Sequence, residues 1–84
     1  MSAPTVALRP DWWTVARREA DALAHGTRAD VVRAVAARYR VTAETTRAYH
    51  ATGGQGAPSP ASAETFAGIA ELLTAVADEL EARP

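Results

Sequence analysis

The sequence predicts an all-α fold, and three observations carry that expectation. Alanine supplies 21 of the 84 residues, against five aromatic residues in all, so the apolar content consists mostly of small side chains that favour helix. Apolar residues recur at three- and four-residue intervals in several segments, and no stretch shows the two-residue alternation of a half-buried strand. Glycine and proline fall between those segments and not within most of them.

Each element follows from local signals. The first helix is expected from Pro10-Asp11 to His25: Trp12, Val15, Ala16, Glu19, Ala20 and Leu23 have helical spacing, Asp11 sits near the positive end of the helix dipole, and Gly26 ends the run. Residues 1–9 are expected to form an extended arm. Thr27 is positioned to cap a second helix, in which Val32, Val35, Ala36 and Tyr39 form one apolar stripe. A break is expected at Arg40-Val41, with Thr42 capping a short third helix from about Ala43 to Ala51 that buries Thr46 and Tyr49 and stops at Gly53-Gly54. Residues 10–52 would thus form a tri-helical unit. Residues 53–60 read as a flexible linker, since the stretch around them, TGGQGAPSPAS over 52–62, has no apolar period. Ser59-Pro60 then marks the start of a last helix, residues 61–83, through cap and proline preferences at a helix start. There Phe66, Ile69, Leu73, Val76 and Leu80 form a seam that Leu72 and Ala77 widen, a surface that needs a partner. Gly68 interrupts this helix at a cost of about 1 kcal/mol relative to alanine, unless it permits a close approach.

Net charge is -1, but the two parts of the chain differ in sign. Residues 1–56 hold eight Arg against five acids, and residues 57–84 hold Arg83 against five acids. The positive part is the candidate for meeting phosphate. All nine basic residues are Arg, which together with the Ala, Gly and Pro usage points to a GC-rich bacterial or phage genome. The chain has no cysteine, so neither a disulfide nor a thiolate metal site is available. His25 and His50 lie far apart with no carboxylate pair nearby, and no metal or cofactor is expected. No nucleophile with a base and no phosphate-binding glycine loop is present, so an enzyme is not expected. Without an apolar run of membrane-spanning or signal-peptide length, the expected location is cytoplasmic.

Residues 32–49, VRAVAARYRVTAETTRAY, resemble the helix-turn-helix of bacterial repressors, resolvases and transposases. Ala36 stands where that motif has a small residue, and Val35, Tyr39, Val41 and Tyr49 occupy its apolar positions. The resemblance implies a second helix held rigidly across the first, with its polar start entering a major groove ~12 Å wide. It covers about half the chain and departs at two places, Arg40 in place of the turn glycine and Thr46 in place of Val or Ile. It further implies that Thr42, Glu44, Thr45 and Arg47 face double-stranded DNA, with Arg47 aimed at guanine. Arg28, Arg33, Arg38 and Arg40 would then contact phosphate and Arg9 the minor groove. The reading is a small sequence-specific DNA-binding protein, homodimeric through Phe66, Ile69, Leu72, Leu73, Val76 and Leu80, with Trp13 at the rim. The alternative is a non-enzymatic protein-interaction adaptor, such as an antitoxin or phage assembly factor. Net negative charge, Glu44 and an exposed tryptophan favour it.

Overall fold

A computed structural model describes residues 3–83, with side chains from residue 12 onward. Among the described residues it contains three helices and no strand: α1, Ala3–His25; α2, Arg28–Ala51; and α3, Pro60–Ala82. The all-α expectation holds. Two of the three helix starts follow the sequence signals. Thr27 Oγ1 accepts from Asp30 N at 3.1 Å while Asp30 Oδ2 accepts from Thr27 N at 3.0 Å, a reciprocal capping box. Ser59 Oγ accepts from Ser62 N at 3.2 Å, and Pro60, which lacks an N–H, opens α3.

Two boundaries differ from expectation. Helix α1 begins at Ala3, so residues 3–9 are not an extended arm, and Pro10 lies inside the helix. The side chain of Arg9, proposed for the minor groove, lies outside the described residues.

The larger correction concerns Arg40-Val41, where the expected turn does not form and α2 runs unbroken from Arg28 to Ala51. Arg40 is a good helix former, and among the described residues no non-glycine residue adopts the positive φ that a turn there would need. Thr42 does not cap a new helix. Its hydroxyl donates to Arg38 O at 2.8 Å, four residues back, and Thr46 repeats the pattern to Thr42 O at 2.7 Å.

Helices α1 and α3 both lie antiparallel to α2, on opposite sides of it, and no Cα of one comes within 8 Å of the other. The chain is therefore a thin slab, 47 × 33 × 14 Å in Cα extent, with a radius of gyration of 14.6 Å where a compact chain of this length has about 12 Å. Alanines repeat every seven residues along the α2–α3 seam: Ala29, Ala36 and Ala43 on α2, and Ala63, Ala70 and Ala77 on α3, all buried. A seven-residue period keeps one stripe of each helix turned to the other, and methyl-sized side chains allow the backbones to approach closely. On the other flank Val15 and Ala22 of α1 are buried. Among the described residues, Val15 and Thr46 are the only buried side chains larger than alanine, so the interior is thin.

The loop between α2 and α3 is tied down. Tyr49 Oη donates to Gln55 O at 2.8 Å, and the two ring nitrogens of His50 lie 3.0 Å from Gly54 O and 2.6 Å from Pro58 O. Gly53 and Gly56 take positive φ, 94° and 92°, which side-chain-bearing residues rarely adopt. What composition alone describes as a flexible linker is thus a pinned loop.

Candidate protein-interaction surface

Helical periodicity and the observed pairs sort the remaining side chains onto the two broad faces of the slab. One face is charged. Arg33, Arg40 and Arg47, again seven residues apart, flank the alanine seam and reach across to α3. Arg33 Nη2 donates to Asp78 Oδ1 at 2.7 Å and also to Glu81, Arg40 donates to Thr74 Oγ1 at 3.2 Å, and Arg47 donates to Glu64 Oε2 at 3.2 Å. Hydrogen bonds that Arg33 donates to Glu81 and then Asp78 push its pKa further above its already high value. On the α1 side a cleft of about 290 Å³ is lined by Arg18, Asp21, His25, Asp30 and Arg33. Opposite charges alternate over this face, so it carries no large field of one sign.

The other face is apolar. From α2 it carries Val32, Val35 and Tyr39, and the Tyr39 ring lies 6.2 Å from that of Phe66, which places the apolar stripe of α3 on the same side. Phe66, Ile69, Leu73 and Leu80 are half-buried, whereas Val76 is 46% and Leu72 69% exposed. Helix α1 adds Trp12, Ala16, Ala20 and Leu23, the last 68% exposed. Near the loop this face dips into a cavity of about 320 Å³ lined by Trp12, Thr42, Thr45, Thr46, Tyr49 and Pro58. The hydroxyls of Thr42, Thr46 and Tyr49 already donate to backbone carbonyls, so they turn methyls and a ring toward the opening. Trp13 points off the outer edge of α1, 63% exposed, with the Arg17 guanidinium 5.4 Å from its ring centre.

The residues expected to read DNA do not form one constellation. Thr42 is half-buried, Thr45 opens on the cavity, and Glu44 is exposed on the charged side of α2. Arg33, Arg40 and Arg47 are engaged with α3, and Arg38 Nε donates to Glu19 Oε1 at 2.8 Å on α1. Arg28 lies at the start of α2 beside Leu80, Glu81 and Arg83. The separate recognition helix that would have projected these side chains together is absent, because it is the second half of α2. The expected interface residues of α3, by contrast, share one side of one helix.

Helical spacing marks the apolar positions of α1 and α2 but not their gathering with the α3 stripe on one face. The usable signal was the alanine heptads. Placing Ala29, Ala36 and Ala43 against Ala63, Ala70 and Ala77 turns every large apolar side chain of α3 out of the seam and onto one face.

Comparison with known proteins returns no matching family model, no similar curated protein and no similar solved structure.

Proposed function

We propose that this chain is a non-enzymatic protein-interaction module that works through the apolar face of its slab. One observation carries the reading: the interior is alanine, while the large apolar side chains of all three helices gather on one side, part of them open to solvent. A face of this kind marks a protein contact, because a water-covered apolar patch is unfavourable in proportion to its area. The opposite face, which carries charges of both signs and pairs Arg33 and Arg47 with carboxylates of α3, supplies solubility. Among the described residues no helix is long and apolar enough to cross a membrane.

The test sets protein association against DNA reading. Purified chain is examined by sedimentation and, separately, titrated with duplex DNA at low and rising salt. The expected result is an association with protein that Val76→Asp, a change at a partly exposed site, abolishes while helicity is kept, and no duplex binding. A monomer that binds duplex with an affinity falling steeply with salt would restore the DNA-reading alternative, in which the paired arginines exchange carboxylates for phosphates.

A further inference from the structure

Resting on that reading, we infer that the partner covering the apolar face is a second copy of this chain, packed face to face about a two-fold axis parallel to the helices. In this arrangement α3 of each copy lies on α1 of the other.

Area supports a partner of this size. The chain exposes 5941 Å², whereas a compact chain of 8.8 kDa exposes ~4,800 Å². The excess, ~1,100 Å², is comparable with the ~800 Å² that each partner contributes to a stable interface of standard size.

Relief then selects the axis. On the apolar face α3 is a ridge, with Ile69, Leu73, Val76 and Leu80 along it, while α1 between Trp12 and Leu23 offers only Ala16 and Ala20, both exposed. The cross-links within the chain fix their heights. Glu19 of α1 meets Arg38 of α2, and Arg40 of α2 meets Thr74 of α3, so with antiparallel helices Ala20 and Val76 stand about level on opposite flanks of the slab. Rotation about an axis parallel to the helices exchanges the flanks and keeps the level. It sets Val76 of one copy over Ala20 of the other, and Leu72 and Leu73 near Ala16. Bulk meets hollow twice, as close packing requires. The other two-fold, perpendicular to the helices, sets ridge on ridge and hollow on hollow, which holds the faces apart and leaves voids. The charge the pairing covers is already closed: Arg38, whose guanidinium lies 5.4 Å from the centre of the Tyr39 ring on this face, enters the interface as an ion pair with Glu19 at 2.8 Å.

Cysteine cross-linking tests the arrangement directly, because the chain has no cysteine of its own. Ala20→Cys chain is mixed with Val76→Cys chain under mild oxidation. The expected product is a mixed disulfide of about twice 8.8 kDa that forms ahead of either symmetric disulfide. In the double variant, a bridge within one chain is excluded because α1 and α3 do not approach each other, so bridging there reports a second copy. Ala20→Arg, at an exposed site, is expected to weaken dimerisation by more than about tenfold without loss of helix content. Val76 disulfides between like chains forming fastest would overturn the axis in favour of α3 on α3. Wild-type chain that sediments as a monomer at the highest attainable concentration would overturn the second copy. Duplex binding by that monomer would overturn the interaction-module reading as well.

Discussion

At the scale of single residues, two glycines show how position decides the sign of one substitution. Gly68 lies on the exposed side of α3, and a methyl group added there meets nothing within 4 Å. Gly68→Ala is therefore expected to stabilise the fold by about 1 kcal/mol, the ordinary difference in helix propensity. The close-approach role considered for Gly68 does not apply. Gly26 is the opposite case: a Cβ would lie 2.9 Å from both Ala22 O and Asp30 Cβ, at the corner where α1 turns into α2. Gly26→Ala forces a backbone carbonyl to move, at a cost of about 1–3 kcal/mol. Urea denaturation of the two variants beside wild type checks both; equal effects of one sign would contradict the packing at this corner. The Thr27 cap beside it was legible from sequence, because an N-cap depends only on a side chain and a backbone three residues away.

At the scale of elements, the unbroken course of α2 is the feature with the largest consequence. Val41→Pro separates the expected turn from the observed helix. Within a continuous helix the proline removes a main-chain bond and clashes with the preceding turn, costing about 3 kcal/mol or more. In a turn it would be tolerated far better. Loss of cooperative unfolding in circular dichroism is the expected outcome, and a wild-type melt would mean that α2 is broken there after all. The alanine seam makes a second demand. Ala70 is 1% exposed between the two backbones, and Ala70→Leu is expected to destabilise by about 1–3 kcal/mol because the helices must part to admit it. An unchanged denaturation midpoint would refute the close approach. The helical stripes of α2 and α3 could be read in advance, since a helix repeats on a fixed angle. Which stripe would form the seam could not, since large apolar residues draw the eye and the alanines do the packing.

At the scale of the whole molecule, a slab with an alanine interior and one apolar face is only partly stabilised by its own contacts. The consequence is a thermal midpoint that rises with protein concentration, as mass action requires of a chain whose folded form associates. Calorimetry over a wide dilution series checks this, and a midpoint independent of concentration would mean that the single slab is stable alone. The same architecture explains why the positive charge of residues 1–56 and the negative charge of residues 57–84 gave a misleading picture of the surface. Folding α3 along α2 sets Asp78, Glu81 and Glu64 against Arg33 and Arg47, so the two parts neutralise each other instead of presenting a basic half to a partner.

The amino-acid sequence by itself determined that the chain is helical, where α2 and α3 start, that glycines close α1 and α2, and that α3 has one apolar side. Those features depend on neighbours within a turn or two along the chain, and capping, propensity and periodicity act over that range. Only the tertiary structure decided that α2 passes through Arg40 and Val41, which side of each helix forms a seam, and where the arginines find their partners. At Arg40-Val41 the local preference between helix and turn is worth a fraction of a kcal/mol, less than is gained by burying Ala43 and Thr46 against the flanking helices. Contacts between residues far apart in the chain settle a balance that fine, and with it whether Thr42 to Arg47 present a reading head or one side of a continuous rod.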